Sequence, residues 1–70
     1  MPYISVTGPE SDVNHEGDEI PVWTVCVADD RDGDPVGKIY WYHNHSAAQD
    51  LGRRMARDQR LELVDESMPA

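Results

Sequence analysis

Four carboxylates surround one glycine in the stretch Asp29-Asp30-Arg31-Asp32-Gly33-Asp34. Such a loop can bind calcium, turn a hairpin or present negative charge. A calcium loop of the EF-hand type needs acids at its first, third and fifth positions, glycine at the sixth and glutamate at the twelfth. With Gly33 at the sixth position, Asp32 and Asp30 fall correctly, but the first becomes Ala28 and the twelfth Ile39. Two ligands are missing, one of them the bidentate one. Asp32-Gly33 is better explained as a hairpin turn. Asp29, Asp30 and Asp34 exceed what that turn requires.

Other chemistry-bearing residues can be weighed in the same way. His43 and His45 point the same way on an extended strand and could share a metal with His15, Cys26 or an aspartate. They also sit where an ordinary polar strand-to-helix junction is expected, and no Cys-x-x-Cys or His-Glu-x-x-His accompanies them. The letters His43-Asn44-His45 lack the longer ββα-metal unit of an HNH nuclease. Cys26 lies inside an apolar strand, where a cysteine acts as a small hydrophobe. Arg53, Arg54, Arg57 and Arg60 cluster on one helical surface, but Asp50 and Asp58 are placed to pair with them one turn away. No phosphate-binding glycine loop is present. The expectation is a protein that is not an enzyme, with no cofactor and no metal.

Charge is the strongest compositional signal. The 70-residue chain has fourteen acids against six bases, a net charge of −8. Residues 1–50 hold ten acids and two bases, and residues 51–70 hold four of each, so the net charge belongs to the first part. This field opposes direct binding to nucleic acid and attracts basic protein surfaces. One cysteine leaves no internal disulfide and suits a reducing compartment. No apolar run approaches the ~18 residues a membrane span needs. The N-terminus has no signal-peptide pattern. A cytoplasmic protein with no membrane partner is expected.

The pattern predicts one α+β domain of order βββαβ, a small antiparallel sheet with one helix on one face. Tyr3 to Val6 reads as a strand ended by Gly8-Pro9. Residues 8–21, with Glu10, Asp12, Glu16, Asp18 and Glu19, read as a mobile acidic loop. Val22 to Ala28 and Val36 to Asn44 form a hairpin. A three-residue turn, Arg31-Asp32-Gly33, puts Trp23, Val25 and Val27 on one face with Trp41, Ile39 and Gly37. A two-residue turn pairs them instead with Tyr42, Tyr40 and Lys38. The first register segregates apolar residues better and is preferred. It leaves Thr24, Cys26, Lys38, Tyr40 and Tyr42 on a partly open face.

A helix is predicted over about residues 47–59, capped by Ser46 with Gln49 in a capping box. Its apolar stripe is Ala48, Leu51, Gly52 and Met55, and Gly52 implies close approach to the sheet. Residues 61–65 read as a fourth strand or continuing helix. Residues 67–70 read as a flexible tail.

A short, acidic, cysteine-poor chain of α+β layout with no catalytic set resembles the small inhibitors encoded by phages and mobile elements. The DNA-mimic anti-CRISPR proteins are the nearest group. The resemblance covers the whole chain in size, charge and layout and assigns no residue a role. It implies a basic DNA-binding surface as target, such as the PAM-reading region of a type I CRISPR effector complex in the host cell. The residues themselves point to a binding module presenting Asp29, Asp30, Asp32, Asp34, Glu16, Asp18 and Glu19, with Tyr40 and Tyr42 as anchors. The chain would be a monomer or a homodimer. The alternative is a small homodimeric regulatory or structural protein that uses its open sheet face, or a metal-binding domain.

Overall fold

A computed structural model describes residues 1–29 and 35–70. The elements run β1 (Pro2–Val13), β2 (Glu19–Asp29), β3 (Pro35–Tyr42), α1 (His45–Gln59) and β4 (Glu62–Asp65). The α+β class holds. The sheet order is β3-β2-β1-β4, and β4 runs parallel to β1, so the sheet is mixed rather than wholly antiparallel. The reason is the crossover: α1 carries the chain from one sheet edge to the other and returns it beside β1.

The helix covers one face. Ile4 and Val6 from β1, Trp23 and Val25 from β2 and Ala48 from α1 form the buried core. Small residues bring the helix close. A Cβ on Gly52 would lie 2.6 Å from Val6 Cγ2. The predicted close approach is therefore real, and the stripe of Ala48, Leu51, Gly52 and Met55 faces the sheet.

The helix starts earlier than predicted. Asn44, not Ser46, is the N-cap: its side-chain Oδ1 accepts the Ala47 amide at 3.0 Å. Gln49 is thereby released from the expected capping box and donates to Asp65 Oδ2 at 3.0 Å. At the other end Arg60 takes a left-handed conformation, φ 55°, and the Leu61 amide reaches back to the Ala56 carbonyl at 2.9 Å. This closing turn ends the helix and lets residues 62–65 extend as a strand.

Residues 8–21 are not a mobile loop. β1 continues past Gly8-Pro9 through an irregularity between Thr7 and Glu10 and pairs with β2 as far as Val13 opposite Glu19. The reversal is tight: Gly17 N donates to Asn14 O at 3.0 Å, and Asn14 Oδ1 accepts the amides of Glu16 and Asp18. Gly17 has φ 85°. This is a type I turn followed by a left-handed glycine, with an asparagine side chain bracing it.

The β2–β3 register also differs from the preferred one. Trp23 pairs with Tyr42, Val25 with Tyr40 and Thr24 with Trp41. Tyr40 and Tyr42 therefore share the helix-covered face with Trp23 and Val25 and pack half-buried against the core. Trp41 stands on the uncovered face, 64% exposed. A bulge causes the difference: Cys26 pairs with Ile39 but Ala28 with Pro35, so Val27 alone faces Val36, Gly37 and Lys38. Gly37, at φ 87°, sits in that bulge. Turn length then no longer dictates pairing farther along the strand. The proposed turn at Arg31-Asp32-Gly33 lies outside the described residues.

The C-terminus is tied down rather than frayed through Met68. Glu66 N donates to Val6 O at 2.9 Å and Met68 N to Gly8 O at 3.0 Å. The buried Trp23 indole N–H, which needs an acceptor, donates to Met68 O at 3.0 Å.

Candidate functional site

Beyond the irregularity at Gly8, β1 and β2 extend as a hairpin with little cover from the helix. Glu10, Asp12, Glu16, Asp18 and Glu19 are all exposed on it. Strand alternation puts Glu10 and Asp12 on the same side. Among the described residues, none of these five acids forms an ion pair. Two ion pairs elsewhere are on the helix surface: Arg53 to Asp50 at 3.1 Å and Arg57 to Asp58 at 3.5 Å. The arginine cluster is thus exposed, with Arg53 and Arg57 in ion pairs and Arg54 donating to the Asp50 carbonyl. Such pairs contribute about 0–1 kcal/mol each.

The uncovered sheet face adjoins the hairpin. Alternation places Thr24 and Cys26 of β2 there beside Trp41 and Ile39 of β3, with Tyr3 and Ser5 of β1 beyond. Lys38, Tyr40 and Tyr42 were expected to share that face with Thr24 and Cys26. The two tyrosines lie instead against the helix side, and Lys38 Nζ sits 5.1 Å from the Tyr40 ring centroid. Burial pushes the Cys26 thiol up from its ordinary value, which favours an inert neutral thiol. Where the face meets the hairpin, Glu10, Ser11, Asp12, Val22, Trp41 and His43 enclose a concavity of about 520 Å³.

His43 and His45 have separate roles. His43 Nδ1 lies 3.1 Å from the Pro21 carbonyl. That oxygen can only accept, so Nδ1 carries the hydrogen. His45 stacks on Trp23, with ring centroids 5.1 Å apart. Among the described residues, no three His, Cys, Asp or Glu side chains group in a way that could hold a metal ion.

One constellation invites a catalytic reading. His45 Nε2 is 2.8 Å from Ser67 Oγ, and the Ser67 hydroxyl donates to Asp65 Oδ1. In a nucleophilic triad the hydroxyl gives its proton to imidazole and the carboxylate orients the ring from its far nitrogen. Here the hydroxyl already donates to the carboxylate, so Nε2 must donate to Oγ. The polarity is reversed and the serine is not activated. The network instead clasps the chain after β4 to the start of α1.

Partial burial pushes the Asp65 carboxyl up. The side chains of Ser67 and Gln49, the Ser67 amide and the charge of His45 outweigh it and hold Asp65 below its ordinary value. A carboxylate held low in the folded state stabilises the fold above its unfolded-state value, and that contribution disappears as pH falls through the folded value. Asp65→Asn should therefore lower the urea midpoint at about pH 7 and match wild type more closely at about pH 2. Equal gaps at both pH values would contradict this.

The aspartate stretch is only partly in view. Asp29 ends β2, half-buried and engaged in an interaction. Asp30, Asp32 and Asp34 lie outside the described residues. Glu16, Asp18 and Glu19 gather at the hairpin tip. Sequence reasoning did not single out Glu10, Asp12, Trp41 or His43 as a unit. The readable signal was Asn14-His15-Glu16-Gly17, a turn sequence that makes the flanking acids strand residues. No family model matches the sequence, and no curated protein or solved structure is significantly similar to the chain.

Proposed function

We propose that the chain is a non-enzymatic binding module that sets an acidic β-hairpin against a basic protein surface, in the manner of a DNA-mimic inhibitor. One observation carries this reading: Glu10, Asp12, Glu16, Asp18 and Glu19 are exposed on a hydrogen-bonded hairpin and, among the described residues, form no ion pairs. From Glu10 to Asn14, where the turn begins, is about 14 Å at ~3.4 Å per residue. Five charges over that length average about one per 3 Å, a charge density comparable with that of phosphates along one DNA strand. A braced hairpin also loses less entropy on docking than a free loop would. A basic groove that normally holds nucleic acid fits this pattern, as in the CRISPR effector complexes that the sequence resemblance suggests.

The test is partner capture from the native host with wild type and with a variant carrying lysine at all five positions. That change adds ten charge units, from −8 to +2. Wild type should retain a DNA-binding protein or complex at low salt and release it to duplex DNA or at about 0.5 M salt. The variant should lose at least ~100-fold in affinity. Retention by the lysine variant would overturn the proposal.

A second reading rests on Trp41. The open face carrying Trp41, Ile39 and Cys26 could pair two copies of the chain. The net charge of −8 opposes this by mutual repulsion. Light scattering separates the readings: a dimer that gains strength with salt and is lost in Trp41→Ala supports the second.

A further inference from the structure

We propose that the concavity beside Trp41 is a receptor for one arginine side chain of the protein partner. The inference rests on the acidic-hairpin reading and names the group that reading leaves open. It starts from an anomaly. Trp41 leaves 64% of its surface in water, although the fold has a tryptophan-lined core one strand position away. Tryptophan is the residue that gains most from burial against a ligand or partner.

Around it the chemistry is uneven in a useful way. Val22, opposite Glu10 on β1, supplies an apolar floor. Glu10 and Asp12 supply carboxylates from the β1 side, and Trp41 and His43 close the β3 side. The flanking strands β1 and β3 are separated by β2 and so lie about 10 Å apart. His43 Nδ1 donates its hydrogen to the Pro21 carbonyl at 3.1 Å, which fixes the ring at the rim of the concavity.

Guanidinium meets all of these features. It is planar, stacks on an indole face, is weakly hydrated and donates in a fork to carboxylates. An ammonium is a compact, strongly hydrated charge that cannot stack in this way. Phosphates and free nucleotides would meet two carboxylates. A metal ion would need ligands grouped more closely than these. Arginine is also the residue that lines nucleic-acid-binding grooves, so the receptor agrees in charge with the hairpin beside it.

The experiment is an NMR titration of the ¹⁵N-labelled chain with Nα-acetyl-arginine methylamide, its lysine counterpart and its neutral citrulline counterpart. The two indole N–H signals report separately. Trp23, bonded to Met68 O, is the internal control for the fold. Arginine should shift the Trp41 indole saturably, with a dissociation constant on the order of millimolar. Lysine should bind at least ~5-fold more weakly and citrulline should leave the signal in place. Glu10→Gln with Asp12→Asn, and separately Trp41→Ala read from the Glu10 and Asp12 amides, should each weaken arginine at least ~5-fold while the Trp23 signal stays put. An unsaturable Trp41 response, lysine or citrulline equal to arginine, or indifference to these changes would overturn the receptor. If arginine fails while five-lysine reversal still abolishes partner capture, the receptor falls and the hairpin reading stands. If capture ignores lysine at Glu16, Asp18 and Glu19 but is lost with Glu10→Gln and Asp12→Asn, the receptor stands and the hairpin reading falls.

Discussion

Trp23→Ala should strip the chain of between a third and all of its stability. Trp23 is 3% exposed and belongs to a cluster that packs it with Ile4, Val6, Val25 and Ala48. Its ring stacks on His45, and its indole N–H donates to Met68 O. Gly8 lies flat against it, with room for no more: a Cβ there would stand 2.7 Å from Trp23 Cδ1. Removing a buried aromatic to alanine costs about 3–5 kcal/mol. A chain of this length has roughly 4–10 kcal/mol of stability in total, at ~0.05–0.15 kcal/mol per residue. The substitution therefore removes between a third and all of it. Urea unfolding followed by far-UV circular dichroism checks this, with Trp41→Ala beside it. Trp41 is mostly in water, so its removal should shift stability by no more than about 0.5 kcal/mol. Equal effects of the two substitutions would contradict the register in which Trp23 opposes Tyr42.

That contrast also shows where local patterning stops being decisive. The helix was legible because Ala48, Leu51, Gly52 and Met55 repeat at helical spacing, and each does face the sheet. β2 was legible because seven residues from Val22 to Ala28 suit a strand and contain no breaker. Pairing was not. Trp23 and Trp41 read as partners because burying both indoles looks best, but the bulge at Gly37 moves β3 and brings the tyrosines inward. Tyrosine tolerates that position, since its ring can pack while its hydroxyl reaches the edge. The Asp-Gly pair at residues 32–33 drew attention as the hairpin signal, while Asn14 to Gly17 performs the same task with a side-chain brace. Gly8-Pro9 read as the end of a strand. It is a break within one, held by a C-terminal segment that no periodicity announces. Distant hydrogen bonds of that kind, such as Met68 with Gly8 and Trp23, have no local signature. The site inherits the same division: the acids were visible, and their arrangement on one stiff hairpin was not.

Deleting residues 67–70 should cost about 2–4 kcal/mol, more than most losses of an exposed terminus. The deletion strips the Met68 carbonyl from the Trp23 indole, the Met68 amide from the Gly8 carbonyl and the Ser67 hydroxyl from His45 and Asp65. An unpaired buried N–H alone costs about 1–3 kcal/mol. Met68→Ala should be nearly silent, because the contacts are made by its backbone and its side chain is 65% exposed. The indole's share can be isolated. Trp23→Phe removes the N–H and keeps a ring, so the same deletion in that background should be milder by about 1–2 kcal/mol. Additive effects would mean that the Trp23–Met68 bond contributes nothing. A functional consequence follows from where the tail attaches. Gly8 lies at the irregularity between Thr7 and Glu10, where the hairpin leaves the helix-covered body. Met68 grips the chain at that point, so losing it should loosen the angle at which the acids are presented. Under conditions where the shortened chain remains folded, its affinity for a basic partner should fall although every hairpin carboxylate is still in place. Unchanged affinity would mean that charge alone is recognised and its placement is not.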